Sequence, residues 1–318
     1  MKKSNVDIVL SSEGKQSPAM IYLAGLPKES SRKIQRYALD VLARKFGAMD
    51  CFSFDWAALR FEQMTMIQTW LLEKYKPRTA ARIMCAVKGT LKAARKMRLM
   101  DAESYEMAID LPTIKRGRSI TGRALTFEEI AALMKTCRTG PPLRGTRDAA
   151  IIILMVGCGL RENEVTNLSL SDYNPASGDL MVHGKGGGRG GKLRPAYLTN
   201  GTRLAMENWL SLRGNEPGAL FGVISKADEM TVSNMSNISV WKMLKRRGEA
   251  AGLQPYTPHD LRRTFISEML NLTDLATVAR LAGHEDVATT AGYDRRPIEH
   301  TIKAAGLLSI PFTPREEL

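Results

Sequence analysis

Cysteine is scarce. The 318 residues hold four, Cys51, Cys85, Cys137 and Cys158, and no two of them form a C-x-x-C pair. That scatter excludes a disulfide framework and a cysteine-based zinc site, and it fits reduced thiols in a cytoplasm. Long hydrophobic runs are missing too. The longest, Ala149–Leu160 (AAIIILMVGCGL), has 12 residues, where a bilayer span needs roughly 18 or more. It reads as a buried helix. The N-terminal stretch MKKSNVDIVLSSEGK has lysines but no apolar segment of signal-peptide length. A membrane is therefore not an expected partner. There is no internal repeat, and the one low-complexity tract is a run of glycines.

Negative charge is also in short supply. Asp and Glu total 33 against 46 Lys and Arg, a formal charge of +13 and a pI near 9.7. Such a surplus points to a polyanionic partner, nucleic acid before membrane. With 44% apolar residues the chain can build real cores, and its length suits about two domains at ~150 residues each. The deficit of acid is sharpest in Thr69–Arg98, where nine Lys or Arg face a single acid, Glu73. Pro77 interrupts this segment, and Thr79 is the expected cap of the next helix. Met84, Val87, Leu91 and Ala94 make an apolar stripe at helical spacing. Lys88, Lys92 and Arg95, with Lys96 beside them, make a basic stripe. The expectation is a helix packed by one face and laid on DNA phosphates by the other.

Leu111–Arg123 (LPTIKRGRSITGR) is basic, holds a proline and two glycines, and lacks periodicity, as an interdomain linker does. A second domain opens at Thr126, where T-x-x-E is a capping box. Within that domain lies HGKGGGRGGKLRP, His183–Pro195. Gly186–Lys192 satisfies G-x-x-x-x-G-K, and Gly186–Gly191 satisfies G-x-G-x-x-G. Both nucleotide readings fail just beyond the glycines. Leu193 stands where a phosphate loop needs Ser or Thr, and Pro195 opposes the helix that either motif must launch. The flanks Asp179–His183 and Arg194–Leu198 read as strands, so the stretch is expected to be a β-hairpin with a glycine tip.

Three further segments carry chemistry. In YTPHDLRRTF, Thr257 and Pro258 start a helix and Asp260 completes a capping pattern. This puts His259 and Arg262 three residues apart in a first turn that already favours anions. In GCGLRENEVTNL, the buried helix ends at glycines and Arg161 opens a new helix. Glu164, three residues on, can orient the guanidinium of Arg161. In DLATVARLAGHEDVATTAGYDRR, a helix over Leu275–Ala282 stops at Gly283. His284 comes next, and a short helix starting near Asp286 is expected to carry Tyr293.

In their order and spacing these segments resemble the tyrosine recombinases, the integrase group. GLRENEV resembles that family's first-arginine box, HDLRRTF its H-x-x-R box, and LAGHEDVATTAGYDRR its box of a second histidine and a tyrosine nine residues later. The resemblance covers roughly Leu125–Arg296. It implies a mainly α-helical chain with a small β-sheet in the C-terminal domain. The expected layout is a two-domain clamp, Xer-like or Cre-like. It would comprise a flexible tail (1–19), a helical core-binding domain (20–112), a linker (113–123), a mixed α+β catalytic domain (124–296) and a C-terminal helix and tail (297–318). The resemblance also implies roles. Tyr293 would attack a DNA phosphodiester and form a 3′-phosphotyrosine link. Arg161 and Arg262 would clamp the non-bridging oxygens, and His284 would add a hydrogen bond. His259 would accept the tyrosine proton, and Glu164 would hold the arginine end of the site in shape. Lys185, in Gly184-Lys185-Gly186, would protonate the departing 5′ oxygen, with Lys192 as the fallback. No metal, nucleotide or other cofactor is implied. The implied partners are double-stranded DNA with a specific core site and further copies of the chain, a dimer on one site and a tetramer in the synapse. The helix expected over Pro297–Leu308, apolar at Ile298, Ile302 and Ala305, is free to dock on its own chain or on a neighbour. Three rival readings are a type IB topoisomerase, a non-catalytic DNA-binding protein and a P-loop ATPase acting on DNA. The last of these rests on the glycine stretch alone.

Overall fold

A computed structural model describes residues 17–115, 122–184 and 193–307. Lys185, Lys192 and most of the expected tails therefore lie outside the described residues. The chain divides into two units, Met1–Ile120 and Thr121–Leu318.

The first unit is helical: α1 (Pro18–Ala24), α2 (Glu29–Lys45), α3 (Phe61–Lys74), α4 (Pro77–Lys96) and α5 (Ala102–Ile109). Its centre is α4, whose apolar stripe Met84, Val87, Leu91 and Ala94 is buried as the spacing predicts. Gly89 lets α1 approach, for a Cβ there would lie 2.3 Å from the Tyr22 ring. Three expectations need correction. Residues 18 and 19, expected in the tail, belong to α1, and Pro18 and Ala19 are buried. α4 starts at Pro77 and not after Thr79, because proline's fixed φ and missing N–H suit the first helical position. The basic stripe on α4 is also not a free surface. Lys88 Nζ donates to the carbonyl of Ile109 (2.7 Å), the last residue of α5. Arg95 pairs with Glu106 (3.2 Å) and lies over the Tyr105 ring. The open C-terminal carbonyl of Ile109 draws Lys88, Arg95 is taken by a side-chain carboxylate, and Lys92 and Lys96 stay exposed.

The second unit runs α6 (Phe127–Cys137), α7 (Pro142–Gly157), α8 (Glu162–Asn167), β1 (Tyr173–Asn174), β2 (Asp179–His183), β3 (Leu193–Tyr197), α9 (Asn200–Arg213), β4 (Gly222–Ile224), β5 (Met230–Asn234), α10 (Asn237–Ala250), α11 (Pro258–Leu272), α12 (Leu275–Ala282), α13 (Val287–Ala291) and α14 (Ile298–Ala305). The chain is thus mainly α-helical with small antiparallel sheets. α7 is the buried helix expected from the apolar run, with Ile151, Ile152, Leu154 and Met155 fully enclosed. The capping box at Thr126 forms reciprocally: Glu129 N–H donates to Thr126 Oγ1 and Thr126 N–H to Glu129 Oε2. One buried carboxylate, Asp148 on α7, accepts from Arg147, Arg246 and Arg247. Arg247 also reaches the Thr136 carbonyl of α6 (2.6 Å), so α6, α7 and α10 are pinned together.

The two strands of the expected hairpin are present; its glycine tip lies outside the described residues. β2 and β3 pair antiparallel from Asp179↔Tyr197 to His183↔Leu193, and β1 adds a third strand beside β2. β3 lies at the edge of that sheet, where Pro195 with no N–H to give is tolerated. The pair β4–β5 forms a second small sheet that the sequence did not announce. Among the described residues no helix is long and apolar enough to cross a membrane.

Candidate active site

Four short segments of the second unit converge. The first two turns of α11 supply His259, Arg262 and Arg263. Pro258 starts the helix, and the Asp260 carboxylate accepts from the Thr257 N–H (2.9 Å) and hydroxyl (2.8 Å) and from the Arg123 N–H (3.0 Å). The turn is thereby fixed at its base. Arg262 is 1% exposed. It donates through Nη1 to the Gly159 carbonyl and through Nη2 to the Ala282 carbonyl (2.5 Å). One guanidinium thus ties the end of α7 to the end of α12. Gly159 has φ +61°, and a Cβ there would lie 2.4 Å from the Phe265 ring, so only glycine fits.

Arg161 sits at the N-cap of α8. Glu164 accepts from its backbone N–H (2.9 Å) and from its Nη1 (2.6 Å), as the three-residue spacing predicts. The Glu164 side chain is fully buried and also takes Nη2 of Arg194 (3.0 Å). Burial by itself raises the Glu164 carboxyl pKa. The charge of Arg194 and the Arg161 N–H and guanidinium outweigh that and hold it below the ordinary carboxylate range. Arg262 is pushed down to about 10, first by burial and then by Arg161, and stays charged at neutral pH. Arg161, Glu162, Asn163, Trp241, Thr257, Pro258, His259 and Arg262 line a cleft of about 410 Å³.

His284 comes directly after Gly283, which closes α12 in the left-handed conformation (φ +65°). Its Nδ1 lies 2.7 Å from Oγ1 of Thr290, a fully buried residue. Tyr293 stands two residues beyond α13, not on it as expected: the short helix ends at Ala291, and Gly292 and Tyr293 form the turn that follows. Tyr293 Oη is 2.8 Å from His259 Nε2. Its ring stacks near the His284 ring (6.0 Å between centroids, 19°), and Arg263 lies over it with Cζ 5.1 Å from the centroid. Arg161, Glu164, His259, Arg262, His284 and Tyr293 are thus brought together. A tyrosine hydroxyl touches an imidazole beside two guanidiniums, an arrangement suited to attack on a bound phosphodiester. Lys185 lies outside the described residues. Sequence reasoning missed Arg194, Arg263, Thr290 and Trp241. For Arg194 a signal was present: it shares the inward parity of β3 with buried Ala196.

Both imidazoles are held neutral. His284 is pushed down to about 4, by burial first and then by Arg262 and Arg161. His259 is lowered by partial loss of solvent, then by Arg263 and Arg262. The folded state therefore resists protons that the unfolded chain accepts below its ordinary histidine pKa of about 6.5. The stability this contributes is complete above that value and is lost as pH falls from there towards about 4. Denaturation midpoints are expected to drop across that window, and less steeply in His284→Gln; parallel curves for the two proteins would refute this.

In the first unit, Lys92 and Lys96 are joined by two arginines the sequence pattern did not single out. Arg78 and Arg82 line a cleft of about 420 Å³ with Thr79 and Cys85.

The model of the phage integrase family matches residues 123–299. The tyrosine recombinase XerA of Pyrococcus furiosus is 32% identical over 183 residues, which cover 57% of this chain and 60% of that protein. The chain thus spans about three fifths of the length of that curated relative. Among solved structures, the Tn1549 transposon integrase in complex with transposon right end DNA has a TM-score of 0.66 at 13% identity, covering 92% of this chain and 98% of that one. A lambda integrase dimer bound to a COC′ core site has a TM-score of 0.65 at 15% identity, covering 87% and 93%. At these identities the likeness is one of fold.

Proposed function

The chain belongs to the phage integrase family of tyrosine recombinases, and from that premise we propose that it cuts and rejoins DNA at a specific site through a covalent 3′-phosphotyrosine intermediate on Tyr293. The observation that carries this reading is the 2.8 Å contact between Tyr293 Oη and His259 Nε2 beside Arg161 and Arg262. The tyrosine oxygen attacks phosphorus, the bond from phosphorus to the 5′ oxygen breaks, and the phenolic proton passes to His259. A neutral His259 is needed for that step, and its lowered pKa provides one. Arg161 and Arg262 neutralise the charge that builds on the non-bridging oxygens. In the tautomer this scheme uses, the Thr290 hydroxyl donates to Nδ1 of His284, which leaves a hydrogen on Nε2 for the phosphate. The departing 5′ oxygen takes a proton from Lys185, or from Lys192. The phosphotyrosine bond conserves the energy of the broken linkage, so rejoining is the same reaction reversed. Side chains supply every proton and charge in this scheme, and neither a metal nor ATP enters it.

The implied partner is double-stranded DNA. In the first unit the exposed Lys92, Lys96, Arg78 and Arg82 are the proposed phosphate contacts. Working assemblies are a dimer on one site and a tetramer across two, in keeping with the lambda integrase dimer on its core site.

A nicked duplex that loses its cleaved end as a short fragment traps the intermediate. With EDTA and without nucleotide, the protein is expected to form an SDS-stable adduct whose modified peptide contains Tyr293. A requirement for a divalent metal or ATP, or an adduct on another residue, would overturn the reading.

A further inference from the structure

We propose that Arg194 is a positioning residue for strand cleavage: it clamps the Glu164 carboxylate and the Leu281 carbonyl at once, and so sets Arg161 and His284 in register. This rests on the function proposed above and concerns a residue outside the three boxes that carry the family resemblance.

Arg194 occupies an inward position on β3, where the alternating partner is the buried Ala196. Its side chain is 11% exposed. A guanidinium in such a place is costly unless it is paired; here both Nη atoms are, and Nε is buried without a hydrogen-bond partner among the described residues. Nη2 meets Glu164 Oε2 at 3.0 Å and Nη1 meets the Leu281 carbonyl at 2.9 Å. The Glu164 partner is the carboxylate that also holds Arg161 by side chain and backbone. The other acceptor belongs to the last turn of α12, whose carbonyls are without helical partners and carry the negative end of the helix dipole. Arg262 takes the next carbonyl, that of Ala282. Two arginines therefore cap one helix end, and His284 hangs two residues beyond it. The third element is Gly283. A Cβ there would lie 2.5 Å from Arg194 Cδ and 2.7 Å from Nε. The glycine is required by the close passage of this arginine as well as by its positive φ. Arg194 joins β3, the Arg161–Glu164 pair and the His284 turn.

Charge is part of the role. Arg194 is the chief influence that keeps buried Glu164 ionised. Without it the carboxyl pKa rises, and Glu164 begins to lose its grip on Arg161 nearer neutral pH.

The test uses the full chain on the trapping duplex, with single-turnover cleavage, DNA affinity and thermal unfolding measured in parallel. Arg194→Gln is expected to bind DNA as the wild type does and to cleave about 10- to 100-fold more slowly, the loss that a misplacement of about 1 Å can bring. Its rate is also expected to fall off at higher pH on the acid side of the profile. Arg194→Lys, which restores the charge facing Glu164, should recover part of the rate and move the acid limb back. Gly283→Ala should slow cleavage too, and should cost less in an Arg194→Ala background, where the clash has gone and only the strain of the positive φ remains. Cleavage within twofold of wild type in Arg194→Gln overturns the proposal. So does a loss that tracks unfolding, with an unmoved pH profile and no rescue by lysine. If the wild type forms no adduct, the proposed function falls first; an adduct undiminished in Arg194→Gln removes this inference alone.

Discussion

Tyr293→Phe is expected to bind DNA and leave it uncut. The substitution deletes one oxygen and keeps the ring, so the stacking beside His284 and the approach of Arg263 survive. What goes is the hydrogen bond to His259 Nε2. That bond is solvent-facing, and its loss costs at most about 0.5–1.5 kcal/mol of stability. The chemical cost is of another order. The attacking atom is absent, among the described residues no other hydroxyl bonds His259, and removal of a nucleophile costs on the order of 10⁴-fold or more. A gel shift on the intact duplex should match the wild type, while the SDS-stable band on the nicked duplex disappears. A persistent band in Tyr293→Phe would show that another residue forms the bond, and the 2.8 Å contact with His259 would then need a different explanation.

Features that depend on near neighbours in the chain were readable from the sequence. The apolar run over Ala149–Leu160 gave a buried helix because its side chains are apolar on every face. Thr126 with Glu129, and Arg161 with Glu164, announced their contacts because three residues make one helical turn. The hairpin was readable because Pro195 forbids a helix and the flanks alternate. Features decided by distant neighbours were not. Tyr293 lies past the end of α13 at Ala291, with its hydroxyl held by His259, 34 residues back in the chain. Lys88 reads as a phosphate ligand until α5, 21 residues on, places the Ile109 carbonyl over it. β4 and β5 are short, and β5 pairs across a bulge, so neither carries a clear alternation. Arg194 shows the limit most sharply: the alternation of β3 pointed it inward, but only the fold reveals that Glu164 and Leu281 are waiting there.

Arg262→Lys is expected to combine two losses that Arg161→Lys separates. Arg262 is almost wholly enclosed and bridges the Gly159 and Ala282 carbonyls with two prongs of one plane. A lysine ammonium is a single point on a flexible stem and cannot span both acceptors. One buried carbonyl is left without its donor, at about 1–3 kcal/mol, and the ends of α7 and α12 are no longer tied. The same replacement removes the planar fork beside the cleft, where charge builds during attack; loss of one such donor costs about 10²- to 10³-fold in rate. Arg161 has a side chain 31% exposed, and it bonds Glu164 within one helical turn, so it ties no distant segments together. Arg161→Lys should therefore cut cleavage by a comparable factor while its unfolding midpoint stays near that of the wild type. Thermal unfolding and single-turnover cleavage on the two variants separate these terms. Cleavage by Arg262→Lys within tenfold of wild type would remove Arg262 from the phosphate clamp. Equal destabilisation of both variants would mean that the bridge from Gly159 to Ala282 does not hold the two helix ends together.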